Sequence, residues 1–311
     1  MSIESNNKII LKAAAKINLH LEVLGKREDK YHELSMIMQS IDLYDFLEIE
    51  YNNSGILSLN SECKNLPLNE NNLILKTALL LREVSGNNEL GANIFLTKNI
   101  PIGAGLAGGS SNAAATLIGL NKLWKLNLNS KVLHELAINI GSDVPFCLDG
   151  GFQFCFGKGE ILEKKSFNSN YGLILIKDPN VSISTAEIYR KYSKRFCNNN
   201  LLDVDFINER RNFLRLNGIH NAKNTRLFSI KNDLQKIAEE ENQSVRDGLS
   251  ILSGFEECLF YSMSGSGPSC FAIFENQELA NRCYKKNIKF IKENNFDTWV
   301  CKFVNEGIKI I

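Results

Sequence analysis

An α+β fold in two domains is what this sequence predicts, on three observations. Its 311 residues exceed the usual size of one hydrophobic core, strand-like alternation and helix-like spacing both recur along it, and a glycine-rich loop joins one such strand to an alanine-rich helix. Units of roughly 150 residues put a domain border near residue 165, giving 1–165 and 166–311. With 44% hydrophobic and 23% charged residues, both units have the composition of folded globular chains.

From Lys16 to Gly25, Ile17, Leu19, Leu21 and Val23 alternate with Asn18, His20 and Glu22, the period of a strand with one buried face and one polar face that can meet a ligand. A charged turn, Lys26 to Lys30, leads into Tyr31 and His32. Leu47, Ile49 and Tyr51 repeat the alternation, and Gly55 to Leu59 is further strand. Leu73 to Val84 spaces apolar residues three and four apart, as a helix does, and Ala92 to Thr97 returns to strand. After the loop Pro101 to Gly109, Ser110 or Ser111 opens a helix reaching Trp124. Ser130 is the expected cap of the next helix and Gly141 its expected left-handed end, with Ser142 and Asp143 directly after. Gly150 and Gly151 break the chain before strands at Phe152 to Phe156 and Leu173 to Ile176.

In the second half, Ser184 and Glu187 have capping-box spacing and start a short helix with Tyr189 and Tyr192. Lys194 to Lys231 is polar and weakly periodic. Helices are expected at Asn232 to Glu241, Gln243 to Leu252 and Gln277 to Glu293, with strands ending near Met263, at Cys270 to Phe274 and at Thr298 to Val304. The turn SGSGPS, Ser264 to Ser269, is either a second anion-binding nest or a tight hairpin.

Charge narrows the partners. With 36 basic and 35 acidic side chains the net charge is +1, so no global field recruits nucleic acid or an anionic membrane, and an anionic ligand must be held locally. The eight cysteines (63, 147, 155, 197, 258, 270, 283, 301) include no Cys-x-x-Cys pair, which argues against a zinc site and a disulfide framework. The opening MSIESNNK is unlike a secretory signal and no run of about 18 apolar residues occurs, so a cytoplasmic protein is expected. His20, His134 and His220 read as surface or satisfied residues. Oligomeric state stays open between monomer and homodimer.

The loop carries the chemistry. Along Pro101, Ile102, Gly103, Ala104, Gly105, Leu106, Ala107, Gly108 and Gly109, four glycines let the backbone turn several amides onto one anion, and Ser110 and Ser111 add hydroxyls. The helix behind it offers unpaired N–H groups and about half a positive charge, suited to a polyphosphate. A dinucleotide fold would need an acid about 20 residues on, and no Asp or Glu occurs between Ala104 and His134. A Walker A loop would end in Gly-Lys-Ser/Thr, and here Gly109 and Ser110 follow Gly108. Protein-kinase signatures are missing too.

Three segments, AAAKINLHLEVLGKREDKYHEL (13–34), PIGAGLAGGSSNAAA (101–115) and MSGSGPS (263–269), resemble the GHMP kinase superfamily. Together with IGSDVPF (140–146) and VSISTAEIY (181–189), they look like its branch whose acceptor is a cytidine diphosphate derivative of methylerythritol, over nearly the whole chain. The resemblance implies a two-domain fold with ATP and acceptor meeting in the interdomain cleft, Mg²⁺ arriving with ATP, and a step in non-mevalonate isoprenoid biosynthesis. It implies that Asp143 accepts the acceptor's hydroxyl proton with Lys16 beside it. Tyr31, His32 and Tyr189 would then read cytosine, with Asn18 and Thr185 as further acceptor contacts and Lys98 and Asn72 on the adenosine side. No residue is assigned as a metal ligand, since no dense carboxylate cluster is present. Lys30 departs from the family's usual glycine, and Asn112 from a common aspartate. Homoserine-type or mevalonate-type kinases, and a non-catalytic sugar or nucleotide sensor on the same fold, are the competing readings.

Overall fold

The computed structural model describes residues 7–167, 170–196, 203–217 and 231–311. Two long antiparallel strands, β1 (Lys8–Lys26) and β2 (His32–Asn52), form its spine, paired from Lys8↔Glu50 to Lys26↔His32. Register shifts at Ala14/Ala15, Asn18/His20 and Val23/Gly25 interrupt the ladder, and each shift of this kind bends and twists the pair locally. The strand reading at Lys16 to Gly25 holds, but both faces are buried. Asn18, His20 and Glu22 are only 2%, 3% and 6% exposed, because residues from the second half of the chain cover the polar face.

β3 (Leu57–Ser61), α1 (Leu73–Ser85) and β4 (Gly91–Thr97) follow, with β4 antiparallel to the end of β2 and β3 parallel to β4. Next come α2 (Gly108–Leu123), α3 (Ser130–Ile140), α4 (Val144–Asp149), β5 (Phe152–Gly157) and β6 (Ile161–Lys165). β2 forks: its C-terminal half pairs with β4 and its N-terminal half with β5, which pairs with β6. α2 is buried nearly all round, and its small residues allow that. A methyl group on Gly119 would lie 2.7 Å from Ile49 Cδ1 and 3.0 Å from a Leu11 methyl, so the helix backbone rests directly on β1 and β2.

The second sheet runs β10-β7-β9-β8, all antiparallel, from β7 (Gly172–Lys177), β8 (Phe260–Met263), β9 (Cys270–Phe274) and β10 (Asp297–Lys302). Its helices are α5 (Thr185–Phe196), α6 (Val204–Asn217), α7 (Gln235–Glu241), α8 (Gln243–Ser253) and α9 (Gln277–Glu293). The last strand, β11 (Ile308–Ile310), returns to pair with β1. One core cluster lies between the sheets, where Ile17, Leu19, Phe152 and Phe154 meet Leu173 and Phe271. No helix among the described residues is long and apolar enough to cross a membrane.

Several local expectations need correction. α2 starts at Gly108, ahead of both serines, behind Ala107 at φ 55°. Asn129, not Ser130, caps α3 by accepting from the Val132 N–H, and Gly141 is extended at φ 177° rather than left-handed. β2 is continuous from His32, and α4, β6, α6 and β11 are elements that the periodicity did not announce. His220 lies outside the described residues.

Candidate active site

The glycine loop is moored before it turns. Asp45, fully buried on β2, accepts from the backbone N–H of Asn99 (2.7 Å) and Ile100 (2.8 Å) and from the Lys98 ammonium. Burial lowers the Lys98 pKa and the adjacent Asp45 carboxylate works against that. Past Pro101 the residues alternate in role. Ala104 and Leu106 drop into the core between the sheets, while Gly103 (φ 60°) and Gly105 (φ 72°) take left-handed conformations on the cleft side. Glycines in this conformation allow loop amides to form an anion nest, and the first-turn N–H groups of α2 beside them lack partners within the helix.

Gly105 is also where the two halves of the chain meet. Its carbonyl accepts from Ser264 Oγ (2.9 Å) and from Lys16 Nζ (3.3 Å), and a methyl group on its Cα would stand 2.2 Å from the Ser264 carbonyl oxygen. The SGSGPS turn therefore closes directly over the phosphate loop, with Gly265 packed against Asn18 and Lys16.

Lys16, on the polar face of β1, reaches Asn18 Oδ1 (2.7 Å) and Asp143 Oδ2 (3.4 Å). Asp143 sits at the N-terminus of α4 without capping it, which leaves its carboxylate to the cleft and the ammonium. Chain separation is 127 residues, yet the two charges form one pair, with the Lys16 side chain 5% and the Asp143 side chain 29% exposed.

At the other end of the cleft His32 stacks on Tyr189, ring centroids 4.9 Å apart, and hydrogen-bonds Ser193 Oγ. Burial, then the nearby Lys26, holds the His32 pKa below its ordinary value, so the ring is neutral near pH 7. Burial and the Asp143 charge raise the Tyr189 phenol well above 10. Tyr31 is exposed, with the Lys158 ammonium 4.7 Å over its ring, and Thr185 Oγ1 bonds Ser266 Oγ at 2.8 Å.

A cleft of about 1320 Å³ is lined by Lys16, Asn18, Asp143, the glycine loop, His32, Tyr189, Tyr31 and Thr185. That exceeds the roughly 300–1,000 Å³ that suits one small ligand, and two ligands can meet across it. Two of the expected contacts are otherwise engaged. Ser111 is fully buried with Oγ donating to Ala14 O (2.7 Å), and it does not line the cleft. Asn72 lines it, but its amide caps α1, accepting from Ile74 N and donating to Pro67 O. Lining residues that sequence reasoning missed include Lys26, Ser142, Lys158, Ser193 and Lys194. Ser142 adjoins Asp143 and could have been named for that; lone surface lysines give no comparable signal. His20 is satisfied on one side only: Nδ1 accepts from Lys231 N, and Nε2 faces Glu22 at 3.9 Å. Among the described residues no group of three or more His, Cys, Asp or Glu side chains could hold a metal ion.

A glycine-rich loop, a lysine–aspartate pair and an aromatic-lined end in one cleft suit a phosphoryl-transfer enzyme for small molecules. Models of the GHMP kinases N terminal domain and the GHMP kinases C terminal domain match residues 72–151 and 210–292. The chain belongs to the GHMP kinase family and is a kinase. It is 59% identical over 306 residues, 98% of each chain, to a 4-diphosphocytidyl-2-C-methyl-D-erythritol kinase of Prochlorococcus marinus (strain MIT 9301). A protein of the same name from Prochlorococcus marinus subsp. pastoris is 54% identical over 312 residues, 100% of both chains. Among solved structures it resembles a 4-(cytidine 5'-diphospho)-2C-methyl-D-erythritol kinase (TM-score 0.71, 27% identity, 95% of this chain and 99% of that one). A homoserine kinase from Cytophaga hutchinsonii shares the fold (TM-score 0.75, 20% identity, 100% and 99% covered).

Proposed function

We propose that this kinase transfers the γ-phosphoryl group of ATP to the 2-hydroxyl of 4-diphosphocytidyl-2-C-methyl-D-erythritol, a step of the non-mevalonate route to isoprenoid precursors. The observation that carries the chemistry is the Lys16–Asp143 pair at 3.4 Å beside the glycine loop. Asp143 takes the proton as the hydroxyl oxygen bonds to the γ-phosphorus, and the bond from that phosphorus to the bridging oxygen breaks to release ADP. Lys16 stabilises the negative charge developing between them. The amides of Gly103 to Ser110 hold the β- and γ-phosphates, with Lys98 and Asn72 shaping the adenosine end.

The stacked His32 and Tyr189, with Tyr31 exposed beside them, supply flat faces and a neutral imidazole edge for cytosine, and Asn18 and Thr185 face the acceptor from the two sides of the cleft. Mg²⁺ bound with ATP would add positive charge at the transferring group. The donors present fit an ion held mainly by phosphate oxygens, since among the described residues Asp143 is the one carboxylate lining the cleft and Ser110 the loop hydroxyl left after Ser111 turns inward. We place the domain border near residue 165, between β6 and β7, with β11 returning to the first sheet, and the protein in the cytoplasm as a monomer or homodimer.

The test is phosphorylation by purified protein of three acceptors: the cytidyl compound, homoserine and mevalonate. Turnover of the first alone is expected. Turnover of either of the others without it would reassign the acceptor, and ligand binding with no ADP released from any would make the chain a sensor.

A further inference from the structure

The turn between β1 and β2 holds a lysine where the backbone asks for glycine. Arg27 N donates to Tyr31 O (2.8 Å), Lys30 N to Arg27 O (3.2 Å), and Lys30 stands at φ 70°. A tight turn followed by one left-handed residue is a standard way to close a hairpin, and glycine is its usual occupant because it lacks the Cβ that makes φ > 0 costly. Asn and Asp are the next best tolerated, and a long unbranched side chain gains nothing locally. Strain kept in this way at a ligand site is a pointer to function.

The side chain has a ligand to meet. Lys30 is exposed yet lines the cleft, together with Lys26 and Lys194 from the two flanks, while the turn's own acids, Glu28 and Asp29, do not line it. Asp29 is paired with Arg27, and among the described residues no carboxylate pairs with Lys26, Lys30 or Lys194. Asp143, the one lining carboxylate among the described residues, already faces Lys16. In a chain of net charge +1, this end of the cleft presents, among the described residues, lysines that no cleft-lining carboxylate pairs with.

We propose that Lys30 is a specificity residue for the acceptor's diphosphate, its ammonium completing with Lys26 and Lys194 a cationic rim that favours a nucleoside diphosphate over an uncharged nucleoside. It rests on the acceptor proposed above. Rim charges act through encounter and ionic strength more than through fixed geometry, so the signature is a salt-dependent affinity for diphosphate.

The probes are CDP and cytidine, titrated calorimetrically into protein whose glycine loop is occupied by an unhydrolysable ATP analogue. Three variants are compared with the wild type: Lys30→Gly, Lys30→Asn and Lys30→Arg. Lys30→Gly and Lys30→Asn should weaken CDP about fivefold, the scale of one exposed charge pair, flatten its salt dependence and leave cytidine unchanged. Lys30→Arg should bind CDP as the wild type does. Lys30→Gly should also melt higher than the wild type, which separates lost binding from lost folding. CDP affinity equal in all four proteins would overturn the role of Lys30 alone. A wild type that binds neither probe would overturn the cytidyl acceptor, and the rim with it.

Discussion

Gly105 and Gly109 belong to the same loop, yet replacing each with alanine should move the protein in opposite directions. At Gly105 the backbone is left-handed, which costs an alanine about 1–2 kcal/mol. The added methyl would also sit 2.2 Å from the Ser264 carbonyl oxygen, and relieving it means moving backbone against backbone, for about 1–3 kcal/mol more. Gly105→Ala should therefore lose about 2–5 kcal/mol in total. The displaced carbonyl would also stop accepting from Ser264 and Lys16. Gly109 lies inside α2, where a methyl group meets only Leu73 Cδ1 at 3.6 Å, so Gly109→Ala should gain about 0.5–1 kcal/mol from helix propensity. Its methyl enters the cleft, however, so nucleotide affinity should fall while stability rises. Urea unfolding without ligand measures the first quantity and nucleotide titration the second. A Gly105→Ala protein as stable as the wild type, or a Gly109→Ala protein that is less stable, would refute the assigned loop geometry. Unchanged nucleotide affinity in both would remove the loop from phosphate binding.

Asp143→Asn keeps the shape of the side chain and removes the base, so turnover should drop about 10²-fold or more while nucleotide affinity stays near the wild-type value; a normal rate would exclude Asp143 from proton transfer. Asp45→Asn should cost about 3–5 kcal/mol, because the buried Lys98 ammonium loses its counter-charge, and thermal unfolding of the ligand-free protein would show it. Burial raises the Glu22 pKa, but the adjacent His20 ring and the Lys231 and Arg210 cations outweigh it and hold the carboxyl at about 2, against an ordinary 4.5. This depressed carboxylate contributes about 3 kcal/mol above pH 4.5, and the contribution fades as pH falls from 4.5 toward 2. Glu22→Gln should thus unfold at clearly lower urea than the wild type at pH 7 and much closer to it at pH 3; a gap that stays constant with pH would contradict the depressed value.

What could be read in advance follows from where the sequence has to repeat itself. The glycine loop and the alternation around Lys16 are local patterns with one physical cause each, and both emerged in place. The first half of β2 was hidden because it is buried on both faces, so Leu34, Met36 and Met38 are interleaved with Ser35, Gln39 and Ser40 that are just as inaccessible. α6 was hidden for the opposite reason. It buries only Ile207 and Leu214 and is tied down by Arg210, Arg211 and Arg215 on Glu22, Glu33 and Glu163, ion pairs that carry no periodicity. Ser111 shows a finer limit: its place in the loop is plain in the sequence, but the helix turn that points its hydroxyl at Ala14 is not.

Lys16, the lysine of the proposed mechanism, shows why site and fold are not separable here. An ammonium has three hydrogens, and Lys16 has three acceptors around it: Asn18 Oδ1, the Gly105 carbonyl and Asp143 Oδ2. One belongs to its own strand, one to the phosphate loop and one to the start of α4. With two hydrogen bonds and one ion pair around it, the ammonium has a set position relative to both the glycine loop and the proposed base, as electrostatic stabilisation of a transferring phosphoryl group requires. Ser264 Oγ accepts from the Asn18 N–H and donates to the Gly105 carbonyl, so the turn from the second half of the chain holds the same constellation from above. The contact that ties the two halves of the chain together and the contact that orients the lysine consequently share one acceptor, the Gly105 carbonyl.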